Sequence, residues 1–280
     1  MPGGTRGSKG SVVSRALGSR PDHRAHCARA SNDHILPAMT DPKMPALHGR
    51  EVARSSTRDI DSFLGEARQV AAVVPGRNAA RLVFALDATM SRQPTWDVAT
   101  SVQASMFDAA ADIGGLSVQL CYFRGLGECR SSGWVGDPRA LRDLMLKIRC
   151  QSGNTQIGRV LRHVSEEAGR QPVRALIYVG DAVEEGMDGL CSTAGELGLL
   201  GLKAFMFHEG GNPATRAAFS EIARLTGGAA MAFDASAPAS LAALLRAVAA
   251  YAAGGGAALH RLAAQDGGAR RLIAAMPKMG

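Results

Sequence analysis

Three oxygen-bearing side chains, Asp87, Thr89 and Ser91, occur at alternate positions directly after the short apolar run 82–86. A carboxylate followed by two hydroxyls can offer oxygen ligands to a hard divalent cation. The same residue types also cap helices, because their oxygens accept bonds from free backbone N–H groups. The spacing therefore leaves a cation site and a capping turn both open.

Two further oxygen-bearing residues lie at comparable places later in the chain. Asp181 follows the apolar run 173–179, and Thr155 ends the polar loop 151–155 before a predicted helix. Each has a local alternative, since Thr155 can act as an N-cap and Asp181 can close a Gly–Asp turn. Two carboxylates and three hydroxyls, without His or Cys, favour Mg²⁺ or Mn²⁺ over zinc.

The elements that must position these residues follow an alternating pattern of strands and helices between residues 81 and about 252. The predicted strands are 82–86, 116–123, 173–179, 202–207 and 229–233, with a short edge strand within 124–136. Such alternation predicts an α/β fold, a doubly wound and mostly parallel sheet with helices on both faces. We expect strand 173–179 to lie beside strand 82–86, so that the loops carrying the five oxygens share one edge.

The set Asp87-x-Thr89-x-Ser91, then Thr155, then Asp181 resembles the metal-ion-dependent adhesion site (MIDAS) of von Willebrand factor A-type (vWA) domains. The family pattern is Asp-x-Ser-x-Ser followed by a distant Thr and a distant Asp. Thr89 departs from it, yet keeps the hydroxyl. The resemblance covers about residues 80–252 and implies a Rossmann-like vWA fold.

The resemblance also implies roles for the five residues. Thr89, Ser91 and Thr155 would offer hydroxyl oxygens to the Mg²⁺ or Mn²⁺, while Asp87 and Asp181 would hold the cation largely through water. Neutral hydroxyls quench a cation less than carboxylates do, and one coordination position would stay open for an Asp or Glu of a partner protein. The resemblance therefore implies a metal-dependent protein-binding module.

An enzyme is the rival class. An apolar strand that ends in Asp also begins haloacid-dehalogenase-type phosphatases, which makes an Mg²⁺-dependent phosphatase-like hydrolase the alternative function. Those enzymes need a second Asp two residues later, where this chain has Thr89. No GxSxG, GxxxxGK[ST] or post-strand GxGxxG motif is present either, so we predict a protein that is not an enzyme. A third hypothesis is a structural domain with an inactive metal site, but this would not explain why the five oxygen-bearing side chains occur together.

The net charge of +7 is concentrated at one end of the chain. Residues 1–50 hold eight basic and three acidic residues, which gives 8 − 3 = +5 and leaves 7 − 5 = +2 for the remainder. A nucleic-acid-binding face would need clustered Lys and Arg on the body, so no nucleic-acid partner is predicted. By analogy of fold alone, the protein partner would be an AAA+ ATPase or a chaperone complex.

The cysteines are odd in number and form no CxxC pair, which fits reduced thiols in a cytoplasmic protein; they are Cys27, Cys121, Cys129, Cys150 and Cys191. No uncharged apolar run reaches the ~18 residues of a transmembrane helix. The closest run, 247–259, is interrupted by three glycines. No membrane partner is therefore predicted.

Four segments are predicted from composition and periodicity. Residues 1–50 are a disordered basic tail, for which a start codon assigned too early is an alternative. Residues 51–78 form a helical extension, 79–253 form the vWA-like domain, and 254–280 form a Gly/Ala-rich basic extension.

Overall fold

The computed structural model describes residues 79–97, 100–101, 104, 107, 115–234 and 237–277. The predicted tail 1–50 and helical extension 51–78 lie outside these residues. Within the described part, the chain alternates strands and helices as the sequence predicts.

In the described part of the chain, six strands form one sheet in the order β3-β2-β1-β4-β5-β6. The strands are β1 (Ala80–Asp87), β2 (Leu116–Arg124), β3 (Glu128–Ser131), β4 (Ala175–Gly180), β5 (Lys203–Glu209) and β6 (Ala229–Phe233). All neighbours are parallel except β2 and β3, which form an antiparallel pair at one edge. The predicted doubly wound, mostly parallel α/β sheet is confirmed, as is the position of β4 beside β1.

Helices cover both faces of this sheet. They are α1 (Arg139–Lys147), α2 (Ile157–Arg170), α3 (Met187–Leu199), α4 (Pro213–Thr226), α5 (Pro238–Ala263) and α6 (Gly267–Ala275). The described residues between Trp96 and Phe107 are also helical. A single 3₁₀ turn, Met90–Arg92, follows β1.

Alternate residues of the central strand point into two separate cores. On one face Leu82, Phe84 and Leu86 pack with residues of the 96–107 segment, α1, α5 and α6. On the other face Val83 and Ala85 pack with residues of α2, α3 and α4. An unbroken apolar strand is needed because both of its faces are buried.

Helix α5 crosses the predicted domain boundary at 253/254. It bends there, because Gly254 and Gly255 have non-helical backbone angles and Gly255 has φ 64°. Beyond the bend, Leu259 in α5 and Leu272 in α6 are buried in the first core. By length and composition alone, the segment Ala239–Ala263 could cross a membrane. In the fold, 44% of the 18-residue stretch that meets this test is buried.

Candidate functional site

Asp87 is the last residue of β1 and is fully buried at the carboxyl edge of the sheet. Its Oδ1 accepts a hydrogen bond from the Thr89 backbone N–H at 2.8 Å. Its Oδ2 is buried with no hydrogen-bond partner in the described part of the chain. One oxygen therefore shapes the turn after β1, while the other is unsatisfied.

The turn after β1 brings the two predicted hydroxyl ligands together. Thr89 precedes the 3₁₀ turn in an extended conformation, and Ser91 lies within the turn. The Thr89 Oγ1 and Ser91 Oγ atoms are 3.1 Å apart. Thr89 is buried whereas Ser91 is exposed, so this pair opens towards the surface beside a buried carboxylate.

Backbone and side-chain hydrogen bonds connect the loops that carry the five predicted ligands. The Gln151 N–H donates to the Ala88 carbonyl at 3.0 Å, which connects the loop after β1 to the loop before α2. Thr155 and Glu184 then bond reciprocally: the Thr155 N–H donates to Glu184 Oε2 at 2.9 Å, and the Glu184 N–H donates to Thr155 Oγ1 at 3.0 Å. Glu184 lies in the same loop as Asp181, so all three loops meet at this edge as predicted.

Asp181 follows β4 and contributes a second unsatisfied carboxylate oxygen, since its Oδ1 is buried without a described partner. Its backbone carbonyl accepts a hydrogen bond from Thr215 Oγ1 at 3.2 Å, which holds the loop against the start of α4. The pKa of Asp87 is raised from 3.8 to about 6, mainly because burial disfavours its charged form. Hydrogen bonds from Thr89 and the charge of Arg92 lower this pKa, whereas the charge of Asp181 raises it.

Gly180, directly before Asp181, leaves the space that the Tyr178 ring and the Asp87 side chain occupy at this edge. A Cβ atom at Gly180 would lie 2.9 Å from Tyr178 Cε1 and 3.3 Å from Asp87 Cβ. The Tyr178 hydroxyl is itself buried without a described partner, and burial followed by the charge of Asp87 raises its pKa well above the ordinary value. Tyr178 is thus a neutral hydroxyl near the predicted site that sequence analysis assigned only to a buried strand.

Arg92 is the second residue that sequence analysis missed. Its side chain is fully buried, and its Nε lies 2.8 Å from Glu209 Oε2 at the end of β5. Its Nε, Nη1 and Nη2 atoms and the Glu209 Oε2 atom have no hydrogen-bond partner among the residues described, so charge alone joins the two side chains. An Arg in a surface turn is ordinarily exposed, but here Glu209 at the end of β5 and the ring of Phe233 at the end of β6, 5.9 Å from the guanidinium carbon, lie beside it.

Glu185 has a role that the sequence did not indicate, because a loop distant in sequence caps α2. Its carboxylate accepts bonds from the Ile157 N–H at 2.7 Å and the Gly158 N–H at 2.8 Å. The local N-cap residue, Gln156, makes no side-chain cap bond. The alternative role of Thr155 as a cap for this helix is therefore taken by a carboxylate from the loop after β4.

Gly153 allows the loop before α2 to pass directly over the turn between β2 and β3. A Cβ atom at Gly153 would lie 1.9 Å from the Gly125 carbonyl oxygen, which leaves no space for a side chain. Gly125 has φ 61°, a backbone conformation that glycine adopts readily. This close contact therefore fixes the position of the loop that ends in Thr155 relative to the β2–β3 turn.

The donor set at this edge consists of carboxylate and hydroxyl oxygens. The described residues contain no cluster of three or more His, Cys, Asp or Glu side chains suited to a metal ion. A cation here would depend on hydroxyl oxygens in addition to the two carboxylates. Two unsatisfied carboxylate oxygens and a hydroxyl pair fit a hard cation with oxygen ligands.

No protein-family model and no curated protein sequence matches this chain. Among solved structures it is similar to a von Willebrand factor type A protein from Catenulispora acidiphila, with a TM-score of 0.52 and 17% identity over 63% of this chain. It is also similar to proximal thread matrix protein 1 from the mussel byssus, with a TM-score of 0.51 and 14% identity over 63% of this chain. The matches span 43% and 47% of those two chains. Together with the strand order, these similarities show that the chain has a vWA-like, Rossmann-like α/β fold.

Proposed function

We propose that this protein is a metal-dependent protein-interaction module and not an enzyme. The proposed site binds Mg²⁺ or Mn²⁺ through Asp87, Thr89, Ser91, Thr155 and Asp181. An Asp or Glu of a partner protein would complete the coordination.

The observation that carries this proposal is the pair of buried carboxylate oxygens without partners, Asp87 Oδ2 and Asp181 Oδ1. An unpaired buried charge is costly, and two like charges at one edge raise the cost. A divalent cation would lower this cost by supplying the missing opposite charge. The two orphan oxygens thus support a cation site in preference to a capping turn, in which the carboxylates would be satisfied by N–H groups.

The carboxylates and the hydroxyls would bind the cation in different ways. The Asp87 and Asp181 carboxylates would hold the cation largely through water, and the Asp87 Oδ1 bond to the Thr89 N–H already orients the turn. The hydroxyls of Thr89 and Ser91 would be direct ligands, and so would that of Thr155, which has one lone pair occupied by the Glu184 N–H. When bound, the cation supplies an electrophilic centre for a partner carboxylate.

Cation binding is tested by calorimetric titration with Mg²⁺ and by Mn²⁺ electron paramagnetic resonance. Wild type should bind one cation with modest affinity, and Asp87→Asn and Asp181→Asn should each weaken that binding at least tenfold. The control is Asp188→Asn, which removes an exposed carboxylate from the first turn of α3 and should leave affinity unchanged. Equal binding by wild type and Asp87→Asn, or no binding by wild type, would refute the site.

Partner binding is tested separately by affinity capture from a cytoplasmic extract in Mg²⁺ or in EDTA. We propose a cytoplasmic location and a partner with an accessible Asp or Glu, an AAA+ ATPase or chaperone complex being the class to look for first. Capture should require Mg²⁺ and should be lost with Asp87→Asn but kept with Asp188→Asn. A partner that is captured equally in EDTA would show that the interaction does not depend on the bound cation.

The phosphatase-like alternative is not proposed. Thr89 occupies the position of the second Asp in those enzymes, and its hydroxyl cannot act as their general acid near neutral pH. Purified protein with Mg²⁺ should not hydrolyse generic phosphate esters. Hydrolysis of phosphate esters by wild type that is abolished by Asp87→Asn would instead support the phosphatase-like hydrolase.

A further inference from the structure

A polar cavity of about 350 Å³ lies between α2 and the antiparallel β2–β3 hairpin, and none of the five proposed cation ligands lines it. Two thiols, Cys121 and Cys129, line it together with Arg130, Arg159 and Arg162. Cys121 is buried, whereas Cys129 is partly exposed. The cavity thus combines an accessible sulfur with several positive charges.

The strand register explains why the two thiols share one face. Cys121 of β2 pairs with Ser131 of β3, and Phe123 pairs with Cys129. Cys121 and Phe123 are two residues apart and therefore point to the same side of the sheet. The two cysteines are diagonal neighbours on the face that α2 covers.

Two arginines reach this face, and both come from α2. Arg159 lies in the first turns of α2, and its Nη1 donates to the Gly127 carbonyl in the β2–β3 turn at 2.7 Å. Arg162 is exposed one turn further along α2. Arg130 directly follows Cys129 in β3 and pairs with Tyr122, so its side chain points to the opposite face of the sheet. Arg159 thus ties the helix to the hairpin, while Arg162 is available to a ligand from solvent.

The remaining titratable groups of the cavity are His163 and Glu166. His163 Nε2 lies 2.8 Å from Gln119 Oε1, and burial is the main reason that its pKa is lowered, so it is neutral near pH 7. Glu166 is exposed at the cavity rim and offsets one arginine. Two guanidinium groups, those of Arg159 and Arg162, against one carboxylate leave the cavity positive.

The surroundings favour Cys129 as the ionised thiol of the pair. Its pKa is lowered, first by a hydrogen bond from the Cys121 thiol and then by the charges of Arg159, Arg130 and Arg162. The pKa of Cys121 is raised well above the ordinary value because it donates that bond and is buried. A thiolate that is both accessible and surrounded by positive charge is the reactive form of cysteine.

We infer that Cys129 is a modification site that reacts with small anionic disulfides and forms a mixed disulfide inside the arginine-lined cavity. The Cys129 thiolate attacks one sulfur of a disulfide RSSR, a Cys129–SR bond forms, the S–S bond breaks, and RS⁻ leaves. The disulfide is the oxidant, so no other reactant is needed. The arginines bind the carboxylates of the incoming molecule and stabilise the departing thiolate.

The diagonal arrangement disfavours an internal Cys121–Cys129 disulfide as the end product. Diagonal neighbours in an antiparallel pair have β-carbons roughly 7–8 Å apart or somewhat closer, whereas a disulfide needs about 3.5–4.5 Å. Cys121 therefore serves as a hydrogen-bond donor to Cys129, and the mixed disulfide persists.

The test uses the full chain and glutathione disulfide as the probe. Cys27 is replaced by Ser because it lies outside the described residues. Mass spectrometry after timed quenching should find the adduct on Cys129 at a rate about tenfold above that of the partly exposed Cys191, whose pKa is raised by burial. Cys129→Ser should abolish the fast phase. In urea the rate difference between the two cysteines should disappear.

The role of the arginines is tested by comparing glutathione disulfide with a neutral reagent, 2-hydroxyethyl disulfide. Arg159→Gln together with Arg162→Gln should slow the anionic reagent several-fold more than the neutral one. Arg216→Gln, which removes an exposed arginine from α4, should change neither rate. The inference is overturned if Cys129 reacts no faster than Cys191, if the arginine changes slow both reagents equally, or if a Cys121–Cys129 disulfide forms instead of the adduct.

Discussion

Arg92 Nε and Glu209 Oε2 form an ion pair at 2.8 Å that connects the turn after β1 to the end of β5. Strand β4 lies between those two strands, so the pair passes over the end of the strand that Asp181 follows. The Arg92 side chain is fully buried and that of Glu209 is 13% exposed. A pair so enclosed is sensitive to the loss of either partner, because the remaining charge has no solvent to stabilise it.

Removal of the Arg92 charge is expected to destabilise the fold. Arg92→Met should lower the free energy of unfolding by about 3–5 kcal/mol, as is typical when one member of a buried pair is left alone. Arg92→Met combined with Glu209→Gln should recover much of this loss, since no unpaired charge remains. Urea denaturation measures both, and Arg216→Met at an exposed site of α4 is the control. A double variant no more stable than Arg92→Met would show that packing, not charge, dominates.

The same substitution should strengthen cation binding at the proposed site. The positive charge of Arg92 acts on Asp87 and lowers its pKa, so it also repels a divalent cation there. Arg92→Met should therefore raise Mg²⁺ affinity several-fold, measured calorimetrically at a temperature where the variant is folded. Weaker binding by this variant would mean that Arg92 positions the ligands instead of competing with the cation.

Asp87→Asn should stabilise the metal-free protein at pH 7. The folded-state pKa of Asp87 is raised to about 6, so the fold disfavours its charged form and the penalty is complete above that pH. The penalty disappears as the pH falls from about 6 towards 3.8, the ordinary value. With EDTA present, the variant should exceed wild type by up to about 3 kcal/mol at pH 7 and by much less near pH 4.5. Chemical denaturation at both pH values checks this, and a difference that is independent of pH would contradict it.

Gly153→Ala and Gly195→Ala form a matched pair of glycine substitutions. The first places a Cβ where only 1.9 Å separates it from the Gly125 carbonyl oxygen, while the second adds a Cβ to α3 with no atom within 4 Å. Gly153→Ala should displace the loop that ends in Thr155, lower thermal stability and weaken cation binding. Gly195→Ala should raise stability by about 0.5–1 kcal/mol, because alanine is favoured over glycine within helices. Similar effects from both changes would show that the loop contact is unimportant.

Glu185→Ala should lower the stability of the fold by removing the cap of α2. Its carboxylate bonds to two backbone N–H groups at the helix start, and the loss of a cap costs about 0.5–2 kcal/mol. Glu196→Ala removes an exposed carboxylate from α3 and serves as the control. Hydrogen exchange of the Ile157 and Gly158 amides should increase only in Glu185→Ala, and unchanged protection there would contradict the capping role.

Much of the fold could be predicted from the sequence because each element carries its own local signal. The apolar run 82–86 has no polar residue that could face solvent, so it predicts a strand buried on both faces. Asn212 followed by Pro213 begins α4, and Gly227 ends it with φ 64°, both through interactions within a few residues. The carboxyl ends of parallel strands share an edge, so Asp87 and Asp181 could be placed near each other from the alternation of elements alone.

The features of the two sites that the sequence did not predict depend on contacts between distant parts of the chain. Nothing near Arg92 in sequence indicates that β5 and β6 would bury it against Glu209, and nothing near Gln156 indicates that Glu185 would cap its helix. The diagonal meeting of Cys121 and Cys129 likewise follows from a strand register that composition does not reveal. Periodicity records how each residue relates to its own element, whereas burial and charge pairing arise only when elements pack, and these long-range contacts determine the electrostatics of both candidate sites.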